Sequence, residues 1–245
     1  MFPWAMGVLL LAAAVAAEVP QSPPGETVRV LFVTGKDYPG HKWRQTTPAV
    51  RSALEAAGRF DVRVSEDPEI MATRMAERYD VVVLHYCNWE SPSPSREALD
   101  GLAAFVRGGK GLVVLHFACG AFTDWPEYVR LVGRVWDPSK THDPYGPFRV
   151  RVVNKEHPIT HGLDDFDTTD ELYFCLKGET AIEVLLTAWS KVTKRDEPMG
   201  FVLRYGEGRV FHTPLGHDVK AFSAPGVVKL LQRACEWAAT GEVAP

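Results

Sequence analysis

The sequence predicts an α/β fold with a doubly wound, mostly parallel sheet. Continuous apolar runs, typical of strands buried on both faces, alternate along the chain with amphipathic helical stretches. The length of 245 residues, 46% of them hydrophobic, suits one large domain. The composition excludes a collagen-like, coiled-coil or largely disordered chain.

The first half of the chain contains the predicted parallel strands. Apolar runs predict strands at residues 28–34, 60–64, 79–84 and 111–115. Helical spacing predicts one helix at 47–57 and another that begins at Ser95 and stops at Gly108. Because strands and helices alternate, right-handed crossovers should place helices on both faces of the sheet.

The second half is predicted to add further strands and a closing helix. Strand candidates lie at 148–153, 184–188, 199–205 and 209–212, and residues 206–208 are typical of a hairpin turn between the last two. The spacing of apolar residues predicts an amphipathic helix over 224–239.

The first 27 residues are predicted to lie outside the domain, which spans 28–240. Residues 1–17 are typical of a signal peptide, because a short apolar stretch ends in small residues, with Val15 and Ala17 before the expected cleavage site. Residues 18–27, which include three prolines, are predicted to form a linker. The first six residues lack Lys and Arg, so an uncleaved anchor or a misassigned start is the alternative. We expect an exported protein, periplasmic or extracellular, with no membrane span in the mature chain.

The charge pattern limits the class of partner. The formal net charge is -4, from 27 basic and 31 acidic residues, without a long run of one sign. A nucleic-acid partner is therefore not expected. No P-loop or glycine-rich dinucleotide motif follows the first strand, which disfavours nucleotide cofactors. A small molecule is the expected partner, and a homo-oligomer is left open.

The four cysteines are predicted to be free thiols. Cys175 and Cys235 lie in aromatic or apolar surroundings, which is not the pattern of a disulfide scaffold. Cys87 and Cys119 each follow an apparent strand, so a bond between them is the one pairing left open.

Several polar and aromatic residues follow the carboxyl ends of predicted strands, where ligands bind in such sheets. They are His41 and Trp43 after the first strand, His85 and Asn88 after the third, His116 after the fourth, and His217 after the last. Topology alone should therefore bring four histidines to one edge of the sheet.

Four ordered motifs carry a family resemblance. They are GLVVLHFA at 111–118 followed by WPEY at 125–128, HP at 157–158, DELY at 170–173, and GRVF at 208–211 leading to LGH at 215–217. In this order they resemble the ThuA-like (trehalose utilisation) family, which is related to the class I glutamine amidotransferases. The resemblance covers roughly residues 28–240. It implies a flavodoxin-like, class I glutamine amidotransferase-like core and a role in sugar metabolism, often with oxidised (3-keto) glycosides.

The expected catalytic residues are His116, Glu171 and His217. His116 ends a strand within a family motif, where its imidazole could act as acid, base or ligand, although a core histidine bonded to backbone is the alternative. Asp170 and Glu171 should point to opposite faces of a strand, and the family position favours Glu171 as the inward one. The expected substrate-binding residues are His41, Trp43, His85, Asn88 and His142, with Trp43 stacking on the sugar.

A divalent metal, Zn²⁺ or Mn²⁺, is a possible cofactor. The candidate ligands are His116 and His217, with Glu171 and either His41 or His142. The sequence contains no HxH, HExxH or CxxC spacing, so these ligands would have to come from separate loops.

Amidotransferase activity is not expected. Alignment on the relatives' nucleophile elbow places Ala118 at the nucleophile position, and Cys119 comes one residue late. Among the other histidines, His157 and His212 are predicted to be structural and His161 to be exposed to solvent.

The preferred function is an exported carbohydrate-processing enzyme that acts on glycosides or 3-keto-glycosides by hydrolysis, elimination or isomerisation. A 3-keto group acidifies the neighbouring C–H, so a modest base such as His116 or Glu171 could start the reaction. The alternatives are a non-catalytic sugar-binding or accessory module and a Cys-dependent amidase.

Overall fold

The computed structural model describes residues 26–36, 38 and 40–244. The predicted signal peptide (1–17) and most of the predicted linker (18–25) lie outside these residues. The strands are β1 Val28–Val33, β2 Phe60–Ser65, β3 Val81–Leu84, β4 Gly111–Leu115, β5 Val135–Trp136, β6 Gly146–Val152, β7 Phe166–Asp170, β8 Leu176–Lys177, β9 Glu183–Trp189, β10 Asp196–Tyr205 and β11 Gly208–Thr213. The helices are α1 Trp43–Glu55, α2 Arg96–Arg107, α3 Glu127–Val132, α4 Val219–Phe222 and α5 Pro225–Thr240. None of these helices, within the described residues, is long and apolar enough to cross a membrane.

One large mixed sheet organises the described part of the chain, in the order β2-β1-β3-β4-β11-β10-β9-β6-β7. Neighbours from β2 to β11 run parallel, and neighbours from β11 to β7 run antiparallel. The short strands β5 and β8 pair separately. The predicted α/β fold is confirmed, but the sheet is mixed rather than mostly parallel, because hairpin-type connections build its second half.

The parallel strands are buried on both faces, which explains their continuous apolar runs. In β1, Val30 and Phe32 pack into the core beneath α1 and α5. Leu31 and Val33, which alternate with them, pack into the core beneath α2 and α3. This arrangement leaves the carboxyl ends of β1, β3, β4 and β11 along one edge of the sheet.

Helix α1 and strand β7 are two of the elements that differ from the prediction. Helix α1 begins at Trp43, four residues before the predicted start at residue 47, and contains Pro48 in its interior. A proline is most often found in the first turn of a helix, so the sequence favours a later start than the structure shows. Strand β7 was not predicted, because its sequence Phe-Asp-Thr-Thr-Asp lacks an apolar alternation.

A partly buried ion-pair network, centred on Asp80, links β1, β3 and the start of β4. The Asp80 carboxylate accepts hydrogen bonds from the Arg29 backbone N–H at 3.0 Å, from Arg29 Nη2 at 2.7 Å and from Lys110 Nζ at 3.0 Å. Asp80 and Lys110 are only 1% and 6% exposed. Burial raises the pKa of Asp80, but these hydrogen bonds outweigh it and lower the pKa to about 2.

An Asp80→Asn substitution is expected to reduce the free energy of unfolding by about 3 kcal/mol at pH 7, because Lys110 is left buried without its counter-charge. The pKa of Asp80 is lower in the folded state than in the unfolded state. The stability that the Asp80 carboxylate contributes is therefore fully present when the pH is above the ordinary pKa of an aspartate, and it is lost as the pH falls toward about 2. Urea unfolding at pH 7 and pH 3 should therefore show a smaller difference between the two proteins at pH 3. Asp100→Asn, in an exposed helical pair with Arg96, is the control and should cost little at either pH. A cost for Asp80→Asn that does not change with pH would contradict the assignment.

Candidate active site at the carboxyl edge of the sheet

Four predicted residues meet at the carboxyl edge of the sheet. His41 comes from the loop after β1, His116 follows β4, Glu171 follows β7, and His217 follows β11. One ligand atom from each lies within 4.8 Å of the ligand atoms of the other three. We call these four residues the His/Glu cluster. Because parallel strand ends share one edge, residues far apart in sequence meet there, as the topology predicts.

His116 occupies a strained position directly after β4. It has a positive φ of 48°, which is uncommon for a residue with a side chain, and it begins the 3-10 turn His116–Gly120. Its ring is fully buried, and its Nδ1 lies 2.7 Å from the carbonyl oxygen of Pro214. Since a carbonyl can only accept, Nδ1 carries the proton, and the lone pair of the neutral ring lies on Nε2, facing the cluster.

Three partners converge on the Nε2 atom of His116. His41 Nε2 and the Tyr173 hydroxyl each lie 2.9 Å away, and a carboxylate oxygen of Glu171 lies 3.6 Å away. A neutral imidazole nitrogen has only one in-plane lone pair to share among them. A cation or an additional proton bound among these nitrogen and oxygen atoms would therefore relieve the competition for this lone pair. Tyr173 was not predicted as a site residue, although it belongs to the DELY motif.

Glu171 is the charged centre of the cluster. One of its oxygens lies 3.1 Å from His217 Nδ1, and the other lies 3.5 Å from His142 Nε2. Burial raises the pKa of Glu171, but contact with His116 and His217 outweighs it and lowers the pKa far below its usual range. Burial lowers the pKa of His217, yet the Glu171 carboxylate outweighs that and raises it. Burial, together with the neighbouring His116 and His217, lowers the pKa of His41 to about 2, so His41 is neutral.

Asp170 lies beneath the cluster and fixes its geometry. Its fully buried carboxylate accepts hydrogen bonds from the backbone N–H groups of Glu171 at 2.8 Å, His217 at 3.0 Å and Gly216 at 2.7 Å. The expectation that only one of the two neighbouring carboxylates turns inward was wrong. Asp170 is the last residue of β7 and Glu171 lies beyond it, so strand alternation does not separate them.

His142 joins the site from the loop between β5 and β6. Its Nδ1 donates to the Asp143 carbonyl oxygen at 2.7 Å, so the lone pair of the neutral ring lies on Nε2, facing Glu171. The buried Asp143 carboxylate accepts hydrogen bonds from the Ser190 hydroxyl and the Lys191 backbone N–H, both at 2.6 Å. The side chain of His142 is 29% exposed, against 15% for His217 and none for His116. His142 is therefore the most accessible imidazole of these three.

Four of the five predicted substrate-binding residues are buried, and two of these, Trp43 and His85, are packed against neighbouring side chains. Trp43 begins α1 rather than lying in a loop, is 6% exposed, and has the Arg44 guanidinium 4.2 Å from its ring centroid. His85 is packed edge-to-face against Phe117 and Phe222, and burial lowers its pKa to about 3. Neither side chain presents an open face or edge to a sugar, which corrects the prediction for both.

Asn88 was predicted to bind the sugar, but its side chain bonds to the protein itself. Its side-chain oxygen accepts the Phe122 backbone N–H at 2.8 Å. Its amide donates to the Ser91 carbonyl oxygen at 3.3 Å and to the Ser93 hydroxyl at 3.0 Å. Both halves of the amide are therefore engaged in holding two loops together.

The remaining histidines have the roles predicted for them. His212 is buried in β11 and bonded to the Val132 carbonyl oxygen. His157 accepts the Ile159 backbone N–H, and His161 is exposed.

The four cysteines are free and buried, so Cys87 and Cys119 are not bonded to each other. Burial raises the pKa of Cys87 to about 12 and raises that of Cys119 well above its ordinary value. The strained strand-to-helix position, which holds the nucleophile in elbow-type enzymes, is occupied here by His116, two residues before Ala118. Cys119 instead packs against Tyr173 and Cys175.

Iodoacetamide is expected to leave all four thiols of the native protein unmodified at pH 8 and to modify them after unfolding in guanidinium. The reason is that a reactive cysteine needs an accessible thiolate, and burial denies both conditions here. Mass spectrometry of the intact protein counts the added groups. One fast-reacting thiol in the native protein would revive the Cys-dependent hypothesis.

A family model described as ThuA, trehalose utilisation, matches residues 29–238. No curated protein matches the sequence.

Solved structures share the fold over most of the chain. A ThuA-like protein from Parabacteroides merdae ATCC 43184 has a TM-score of 0.80 at 28% identity, covering 90% of this chain and 92% of its own. A ThuA-like protein from Bacteroides uniformis ATCC 8492 has a TM-score of 0.69 at 20% identity, covering 89% and 94%. A cytoplasmic protein from Salmonella typhimurium LT2 has a TM-score of 0.57 at 14% identity, covering 87% and 100%. The last two likenesses concern the fold alone.

Proposed function

This chain belongs to the ThuA (trehalose utilisation) family, and from that premise we propose that it is an exported carbohydrate-processing enzyme. It acts on glycosides or their 3-keto derivatives by hydrolysis, elimination or isomerisation, with a small-molecule sugar as its partner and no nucleic acid. The observation that carries this proposal is the His/Glu cluster at the carboxyl edge of the sheet, with its shared carboxylate.

The site separates a proton acceptor, His142, from a proton donor in the cluster. His142 is accessible, its Nδ1–H is held by a carbonyl, and its Nε2 can take up a proton beside the Glu171 carboxylate, so it is the better-placed base. His116 is buried and its Nε2 is already crowded, which disfavours the role of base first expected for it. Glu171, with its lowered pKa, holds the neighbouring imidazoles rather than accepting the proton. Without a metal, His217, whose pKa is raised, can donate to oxygen as negative charge develops there; with a metal bound, it would serve as a ligand instead.

The same residues fit a divalent metal. His41, His116, His217 and Glu171 supply the nitrogen and oxygen donors that Zn²⁺ or Mn²⁺ accepts. The Nε2 atoms of His41 and His116 lie 2.9 Å apart, and Nε2 of His116 has more partners than one lone pair can serve. A bound metal would supply Lewis-acid stabilisation of a carbonyl or enolate oxygen.

Export follows from the signal peptide predicted at residues 1–17, and a periplasmic or extracellular location is proposed with it. Mass spectrometry of the protein recovered from its native host tests this, since cleavage after Ala17 leaves Glu18 as the first residue. Size-exclusion chromatography of the same material tests for a homo-oligomer.

The deciding experiment measures metal content and turnover on one preparation of residues 18–245, purified without chelator or His-tag. About one equivalent of Zn²⁺ or Mn²⁺ and conversion of at least one member of a 3-keto-glycoside panel are expected. A His142→Ala variant should lose most of kcat, whereas His161→Ala, an exposed histidine outside the cluster, should retain it. If a sugar raises the unfolding temperature but no product forms, the protein is a sugar-binding module rather than an enzyme.

A further inference from the structure

Six aromatic rings form a closed circuit that includes part of the His/Glu cluster. Each ring centroid lies between 4.5 and 6.0 Å from the next, in the order His41, His116, Tyr173, Trp136, Trp89, Tyr38 and back to His41. The first three rings are buried, whereas the last three are partly exposed. The three partly exposed rings are therefore in contact with the three buried rings, two of which belong to the His/Glu cluster.

We propose that Tyr38, Trp89 and Trp136, which we call the aromatic rim, bind a pyranose ring of the substrate and hold it against the His/Glu cluster. This inference rests on the proposed function and names where its substrate binds. Pyranose rings present C–H faces that stack on aromatic rings, and hydroxyl groups that bind imidazoles and carboxylates. The circuit offers both kinds of partner side by side.

The ring of Trp89 is held in a fixed orientation by its contacts with Gly120. Trp89 donates its indole N–H to the Gly120 carbonyl oxygen. A side chain on Gly120 would place its Cβ 2.3 Å from the Trp89 ring, so the close approach requires glycine. Such a pre-positioned indole loses little conformational freedom when a ligand binds.

The other two members are tied to site residues. Tyr38 and His41 form a β-bridge, so one short loop carries both the rim and the cluster. Trp136 lies in β5, which pairs with β8, and its ring meets Tyr173 edge-to-face at 5.0 Å. The rim therefore has a fixed orientation relative to His116, the partner of the Tyr173 hydroxyl.

The rim replaces Trp43 as the expected stacking surface, because Trp43 is buried in α1. A quaternary ammonium ion is the other ligand that aromatic faces commonly enclose. Such an ion has no hydroxyl groups to bond to the His/Glu cluster, whereas the hydroxyls of a sugar can donate to the Glu171 carboxylate and to imidazole nitrogens. The hydrogen-bonding groups of the neighbouring cluster thus favour the sugar.

The test compares Trp89→Ala and Trp136→Ala with Trp189→Ala, a tryptophan that is 52% exposed and lies outside the circuit. KM and kcat are measured on the 3-keto-glycoside that the wild type converts best. The two rim variants should raise KM about tenfold and leave kcat within about threefold, because stacking binds ground state and transition state alike. Trp189→Ala should match the wild type, and Trp89→Phe should restore most of the binding. Zn²⁺ titration checks that the cluster is intact in every variant.

The outcomes separate the rim from the function on which it rests. If the wild type converts the sugar and the rim variants match Trp189→Ala in KM, the rim is overturned and the proposed function stands. If the wild type neither converts nor binds trehalose or any 3-keto-glycoside, both are overturned. Tetramethylammonium that binds more tightly than every sugar, with loss of that binding in Trp89→Ala, would assign the rim to a cation instead.

Discussion

A His116→Ala variant should bind Zn²⁺ at least about 100-fold more weakly than the wild type and should lose the corresponding activity. His116 is the residue that the other cluster members share, since His41, Tyr173 and Glu171 all approach its Nε2. Its Nδ1–H donates to the Pro214 carbonyl oxygen, which fixes the orientation of the ring. No neighbouring imidazole in the cluster has this anchor, so none should substitute for His116. Isothermal titration calorimetry with Zn²⁺ measures the change in affinity.

Two further variants show whether that loss is specific. Glu171→Gln keeps the shape of the side chain but removes the charge that the imidazoles face, so an intermediate loss of affinity is expected. His161→Ala removes an exposed histidine outside the cluster and should leave Zn²⁺ affinity unchanged. Wild-type affinity in His116→Ala would show that the metal, if bound, lies elsewhere.

The sequence contains enough information to place the backbone of the site. Strand ends at one edge must converge, so His41, His116 and His217 could be predicted as neighbours from the alternation of strands and helices alone. The direction in which a side chain points is not contained in that argument. Asn88 and His85 also follow a strand end, yet Asn88 bonds to backbone and Ser93, and His85 turns into the aromatic core.

Strand β7 could not be predicted from the sequence because it lacks an apolar signal. Strand β7 is polar, and its pairing with β6 holds it at the end of the sheet. Asp170 and Tyr173 lie at and just beyond its end, so their burial could not be anticipated without the strand. Tyr38, Trp89 and Trp136 are likewise brought together only by loops and by the short β5–β8 pair, which no periodicity predicts.

An Asp170→Asn variant should lose about 3 kcal/mol of unfolding free energy, because an amide cannot accept all three backbone N–H groups that the buried carboxylate now satisfies. For a chain of this size that loss corresponds to a fall of roughly 6–12 °C in the unfolding temperature. Asp167→Asn is the matched control on the same strand, since the Asp167 side chain is 74% exposed, and it should change stability by no more than about 0.5 kcal/mol.

Asp170 should position the cluster as well as stabilise the fold. Both His217 and Glu171 are attached to it through their backbone N–H groups, so its loss should displace two of the four proposed ligands together. Thermal unfolding with and without saturating Zn²⁺ separates the two roles, because ligand stabilisation depends on affinity for the folded state. A purely structural Asp170 would lower both unfolding temperatures equally. A positioning Asp170 should also shrink the increment that Zn²⁺ adds, while Asp167→Asn leaves that increment at its wild-type size.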